Sequence, residues 1–141
     1  MELNSLRENY ERIKEKFKRL FEDYERLDHS YKRLNKYRIR LDYDYKKEVL
    51  VEKRLKEDYE AYGGSNMSPS EKKRFDEDFK DINQDYIRLD EDYTILKEDY
   101  IRIDEDRKRL DEDYKRLNEY FKKLHKKNNR ILLRFYSCIA S

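Results

Sequence analysis

Glycine, proline, cysteine and tryptophan are almost missing from this chain, and each shortage excludes a class of protein. Of 141 residues, two are Gly, one is Pro, one is Cys and none is Trp. So few glycines and prolines cannot build a loop-rich fold. The lone Cys138 excludes an internal disulfide framework and a cysteine zinc site. Apolar runs are short: nothing approaches the roughly 20 consecutive residues of a transmembrane helix. The opening residues Met1 to Ser5 lack the apolar core of a signal peptide. A reducing, cytoplasmic location is therefore expected.

Chemistry-bearing motifs are as scarce. The sequence has no Gly-rich phosphate loop, nucleophile elbow or Cys/His cluster. His29 and His125 stand alone. Asp-Glu-Asp triplets point in different directions on a helix and hold no metal together. The reading is of a protein that is not an enzyme, with no catalytic residues, no metal, no cofactor and no small-molecule substrate. Tyr-x-x-Leu strings such as Tyr24 to Leu27 resemble sorting signals, but a seven-residue repeat generates them automatically.

What the chain has is charge and tyrosine. Charged residues make up 48% and Tyr occurs 14 times, with a net charge of +2. Mean hydropathy is −1.37. Such composition ordinarily leaves a chain disordered. Regular spacing reverses that expectation, because a coiled-coil seam needs only two apolar positions in seven. In the first half, slot a reads Leu3, Tyr10, Phe17, Tyr24, Tyr31, Arg38, Tyr45, Glu52, Tyr59. Slot d reads Leu6, Ile13, Leu20, Leu27, Leu34, Leu41, Glu48, Leu55, Tyr62. The second half repeats it, with Phe79, Tyr86, Tyr93, Tyr100, Arg107, Tyr114, Phe121, Asn128 and Phe135 at a. Its d slots run from Phe75 and Ile82 through Leu89, Leu96, Ile103, Leu110, Leu117, Leu124 and Ile131 to Cys138. A sustained seven-residue period specifies a left-handed supercoil. On the outer face, acids precede bases by four residues, as in Asp104 to Lys108, Glu105 to Arg109, Asp111 to Lys115 and Glu112 to Arg116. Each such pair supports a helix by about 0.2–0.5 kcal/mol.

One break interrupts the repeat, from Gly63 to Ser70. The glycines suit a helix C-terminus. Ser68, Pro69 and Glu71 suit the next N-terminus as N-cap, first helical residue and capping-box partner. The fold class expected is all-α: two long helices forming an antiparallel coiled-coil hairpin. The first helix covers 1–62, the hairpin loop 63–70, the second helix 71–136 and a C-terminal tail 137–141. In the matching register, Tyr59 faces Phe75, Tyr45 faces Leu89, Leu41 faces Tyr93, Leu34 faces Tyr100, Tyr24 faces Leu110, Phe17 faces Leu117 and Tyr10 faces Leu124. Nearly every layer pairs one aromatic with one aliphatic. Arg38 faces Leu96 and Leu27 faces Arg107, so each Arg can lay its stem on the seam and keep its head in water. Two features oppose the pattern. Asp flanks the seam on both helices, where like charges are expected to cost stability, and Glu48 and Glu52 occupy seam slots. Pairing with nearby Lys and Arg is the offset available.

Some apolar residues fall off the seam: Tyr37, Ile39, Tyr43, Val49, Leu50 and Val51 in the first helix, and Ile87, Ile95 and Ile101 in the second. They read either as a local wobble of the seam around Glu48 to Glu52 or as a contact surface. The contact reading implies a homo-oligomer or another coiled-coil partner.

The sequence closes with Cys138-Ile139-Ala140-Ser141. This tetrapeptide resembles the CaaX box of prenylated proteins, with Ser in the last place pointing to farnesyl. The resemblance implies a thioether lipid on Cys138, loss of the three following residues and methylation of the new carboxylate. Cys138 equally fits slot d as a plain seam residue. One prenyl chain needs a second signal, and a basic one is at hand. Residues 115–141 carry eight Lys and Arg against one acid, a net +7, including Lys122, Lys123, Lys126, Lys127, Arg130 and Arg134. Residues 1–20 carry six against four, a net +2, leaving −7 for the remainder. The hairpin brings both basic stretches to its open end, where Leu132 and Leu133 lie off the seam. The functional expectation is a coiled-coil adaptor or scaffold at the cytoplasmic face of an anionic membrane, tethered through Cys138. The alternative is an untethered structural coiled coil that self-associates into dimers or filaments. Nucleic acid comes behind both, since the body is Asp-lined and no aromatic is expected to stand exposed among the bases.

Overall fold

Apolar side chains at a and d can leave water only if two such stripes meet, and the chain folds accordingly. In a computed structural model it forms two helices packed against each other as a hairpin, α1 (Glu2–Ala61) and α2 (Pro69–Ala140). The structure describes residues 2–63 and 66–140, with the side chains of 3–63, 66–131, 133 and 134.

The break between the helices follows its residues closely. Gly63 takes φ +85°, the left-handed conformation that ends a helix without a Cβ clash. Its N–H donates to the Glu60 carbonyl at 3.0 Å, closing α1 with a tight turn, and Asn66 N–H returns to the Gly63 carbonyl at 3.2 Å. Ser68 then caps α2: its Oγ accepts the Glu71 N–H at 3.3 Å, and its carbonyl accepts Lys72 N–H at 3.0 Å. The helix begins at Pro69, two residues before the expected 71, because proline's fixed φ already suits the first helical position. It continues through 137–140, expected as a tail; that stretch contains neither Gly nor Pro to stop it.

Contacts divide the chain into two compact units, residues 1–30 with 102–141, and residues 31–101. In the first, Leu6, Ile13 and Leu124 form a buried cluster against Tyr10, Phe17, Leu117, Phe121 and Ile131. Phe17 lies edge-on to Tyr114 at 6.0 Å and to Phe121 at 6.4 Å, so it straddles Leu117, the layer partner read from the heptads. Tyr10 straddles Leu124 in the same way, with its ring 6.1 Å from Phe121 and its hydroxyl accepting Asn128 Nδ2 at 2.9 Å. In the second unit, Leu41, Leu89 and Leu96 are buried against Leu34, Tyr86, Tyr93 and Tyr100. Tyr45 sits between Tyr86 and Tyr93, at 5.7 and 6.4 Å, across Leu89. Tyr59 sits between Phe75 and Phe79, at 5.5 and 6.0 Å. Such edge-to-face rings add about 0.5–1.5 kcal/mol beyond their burial.

Within each helix, ion pairs form at both three- and four-residue spacings. Glu112 and Arg116 pair at 3.7 Å, and Glu52 and Lys56 at 2.7 Å. Arg109 reaches Asp106 at 2.5 Å, three residues back, rather than the expected Glu105. Both spacings place partners on one helix face, and pairs this exposed contribute about 0–1 kcal/mol.

Stability should therefore follow the seam. Leu41→Ala, at a side chain only 3% exposed, should cost about 2–5 kcal/mol. Val51→Ala, off the seam on the same helix and 43% exposed, should stay within about 0.5 kcal/mol. Urea unfolding followed by circular dichroism would compare the two.

Candidate functional site

The seam flanks carry the first unexpected chemistry. Tyr24, Tyr93 and Tyr100 each face a Leu with the ring half-buried and the hydroxyl at the rim, where the Asp or Asn that follows that Leu on the opposite helix meets it; Tyr45 and Tyr114, which also face Leu, are 42% and 40% exposed. Tyr24 Oη donates to Asp111 at 2.5 Å, Tyr93 to Asp42 at 2.6 Å and Tyr100 to Asn35 at 2.5 Å. Tyr86 donates to Glu52 likewise. The Asp flanks, expected from sequence to be a like-charge cost, are thus in part acceptors for tyrosine. A hydrogen bond to a charged acceptor contributes about 1.5–3 kcal/mol where water is excluded, and less at an exposed rim. Burial of the rings, and then these hydrogen bonds, push Tyr24, Tyr86 and Tyr93 up to about 12.

The acidic pair in the seam behaves differently. Glu48 stays in its slot, half-buried, with Oε1 enclosed and unbonded. Burial, then the neighbouring Asp85 and Glu52 carboxylates, push its carboxyl above the usual range. Glu52 is held below that range by its hydrogen bonds to Lys56 and Tyr86. Val49 and Val51 are each 43% exposed on either side. A wobble of the seam would bury those valines and expel Glu48, and the opposite is observed.

All the off-seam residues marked in the sequence belong to the second unit, and all stand exposed: Tyr37, Ile39, Tyr43, Val49, Leu50, Val51, Ile87, Ile95 and Ile101. The marked bases Lys122, Lys123, Lys126, Lys127, Arg130 and Arg134 are exposed in the first unit, on the helix that packs against the basic start of α1. Cys138 lies outside the residues whose side chains are described. One expectation is corrected. Phe21 and Tyr120 are 54% and 51% exposed among the bases, with Tyr120 sharing a groove with Lys16, Arg19 and Arg116. Their heptad slots, e and g, announce this: aromatics there flank the seam instead of filling it. Leu133 is exposed as well.

Among the described residues no helix is long and apolar enough to cross a membrane, and no group of three or more His, Cys, Asp or Glu could hold a metal ion. No family model, curated protein or solved structure matches the chain.

Two pH effects follow. The raised tyrosines stabilise the fold fully below their unfolded value near pH 10, and that stability is lost as pH rises from 10 through about 12. Urea midpoints should fall across that window, and Tyr93→Phe should fall less steeply. For Glu48 the sign is reversed, because a raised carboxyl opposes folding once it must ionise. Glu48→Leu should gain about 1 kcal/mol at pH 7, with the gain shrinking as pH drops and the native carboxyl takes up its proton. Equal gains at pH 4 and pH 7 would refute this account of Glu48.

Proposed function

We propose that the protein is a non-catalytic coiled-coil adaptor that lies against an anionic cytoplasmic membrane surface through the basic part of its first unit. The observation that carries this reading is the company the bases keep. Lys115, Lys122, Lys123, Lys126, Lys127, Arg130 and Arg134 are exposed along α2, and Lys14, Lys16, Lys18 and Arg19 are exposed along the α1 segment of the same unit. Phe21, Tyr120 and Leu133 stand exposed beside them. Bases interleaved with aromatic and aliphatic side chains are what a headgroup interface rewards. Each base near an anionic leaflet contributes about 1 kcal/mol, and the apolar groups enter the acyl boundary.

A farnesyl group on Cys138, as the CaaX-like tetrapeptide suggests, would supply the lipid half of a two-signal anchor. The lipid alone would hold weakly and the bases alone reversibly; together they would give a stable attachment. This division of labour makes the two parts separable in experiment.

Unlipidated protein made in bacteria should pellet with vesicles containing about 30% anionic lipid and not with neutral ones. Binding should weaken steeply with salt, over a Debye length of about 8 Å at physiological ionic strength. Lys122→Glu with Lys126→Glu should abolish it. Equal binding to neutral vesicles would sink the electrostatic reading. Protein made in a eukaryotic cell should show, by intact mass, one farnesyl and the loss of three residues. Cys138→Ser should leave only the reversible, salt-sensitive attachment there, so that a high-salt wash strips the variant from membranes and not the native protein.

A further inference from the structure

The exposed apolar residues of the second unit are sorted by face. In an antiparallel pair, slots e and b of both helices share one face, g and c share the other, and f lies at the outer edge. Ile39, Val49, Ile87 and Ile101 occupy e and b slots, and Tyr43 and Leu50 stand at f beside them. Only Tyr37 and Val51 fall on the g side, while Ile95, at c, shares an outer groove with Ile87, Asp90 and Glu91. The assignment matches a groove of this unit in which Val49, Lys53 and Lys56 of α1 share walls with Tyr86 and Asp90 of α2.

Within residues 36–53 and 81–101, charge on the e/b face and its f edge is sorted by helix; outside that window Glu57 and Glu60 of α1 and Lys73 and Lys80 of α2 reverse the signs. Inside it, the face's α1 margin carries Lys36, Lys46 and Lys53, while Asp42 there is already bonded to Tyr93. Its α2 margin carries Asp90, Glu91 and Glu98, against Lys97. An apolar band with a positive edge along one helix and a negative edge along the other is complementary to itself. An apolar centre with a charged rim is also the usual anatomy of an interface.

We propose that this face docks a second copy of the same chain, face to face, about a two-fold axis parallel to the helices. That axis lays α1 of each copy over α2 of the other. Lys46 then comes near Asp90 and Glu91 of the other copy, twice by symmetry, and the isoleucines and Val49 close the middle. A two-fold axis running across the helices would stack α1 on α1 and set lysine against lysine. The parallel axis also leaves every helix antiparallel to its neighbours, forming a four-helix arrangement around a second apolar seam. Docking here is independent of membrane binding, which involves residues of the other unit.

The test is the mass in solution of the full chain at about 100 μM, by light scattering and sedimentation equilibrium. The expected result is twice the 17.8 kDa of one chain. Val49→Glu with Ile87→Glu should return it to one chain with helical circular dichroism intact, since neither side chain supports the seam. Tyr37→Glu with Val51→Glu, on the opposite face, should leave the dimer unchanged. Lys46→Glu should weaken dimerisation about tenfold, and Lys46→Glu with Asp90→Lys should restore it. A single-chain mass for the native protein would overturn the proposal. So would dissociation by the Tyr37 and Val51 pair alone, and failure of the charge swap to rescue would overturn the axis.

Discussion

A tyrosine ring laid on a leucine across the seam, with its hydroxyl returned to the rim, is the contact on which this structure depends. A chain so charged has little apolar area to bury, and only nine side chains among the described residues are buried. Phenylalanine in those slots would bury as much ring but leave nothing for the flanks. Tyrosine converts an acidic flank from a liability into a partner, as Asp42, Asp111 and Asn35 show. The choice of ring follows the neighbour. Phe121 and Phe79 face Ile13 and Leu55, which are followed by Lys14 and Lys56, where no acceptor is offered. Phe17, Tyr114, Tyr10 and Tyr86 depart from the rule. Phe17 faces Leu117 and Asn118, and Tyr114 faces Leu20 and Phe21, so packing overrides the hydrogen bond in those two layers; Tyr10 faces Leu124 and His125, and Tyr86 faces Glu48 and Val49, and their hydroxyls bond to Asn128 and Glu52 instead.

The same repetition explains why register must be fixed elsewhere. A slip by one heptad moves Tyr93 from Leu41 and Asp42 to Leu34 and Asn35, which offer an equivalent leucine and acceptor. The repeated contact alone therefore holds the helices together without choosing their alignment. Alignment comes from features that occur once. Gly63 and Ser68 set the turn length through a left-handed cap and an N-cap. Asn128 finds Tyr10 in the first unit. A polar residue in an a slot that bonds across the seam is a recognised device for fixing register.

Repetition also decides how much of the molecule is legible in its sequence. The seam and the turn are legible because each rests on spacing or on a backbone preference, and both are local properties. The tyrosine–aspartate bonds are not, because a flanking carboxylate reads as a charge, while the reach of a hydroxyl depends on how the opposite helix is set. Phe21 and Tyr120 escape for a related reason: residue type assigns aromatics to the seam, whereas slots e and g place these two beside it. Arg109 choosing Asp106 over Glu105 reflects rotamer geometry, which a spacing rule does not resolve. The lipid proposed for Cys138 is a different matter, since its attachment would depend on an enzyme reading the tetrapeptide and not on packing.

The position of the off-seam apolar residues then acquires a physical meaning. Were they compensation for Glu48 and Glu52, the helices would rotate locally until Val49 or Val51 entered the seam. That rotation would bury a valine and release a carboxylate to water, and both changes are favourable by themselves. It does not occur, because the neighbouring layers at Tyr45, Leu41 and Leu55 hold the phase of each helix, and a rotation at one layer would misplace the next. Glu48 therefore remains where its carboxyl is costly, and the valines remain in water. A chain this poor in apolar residues nevertheless keeps six of them on or beside the e/b face of one unit, bordered by opposite charges. Seam formation gives no reason for that placement; burial against a second, matching surface does.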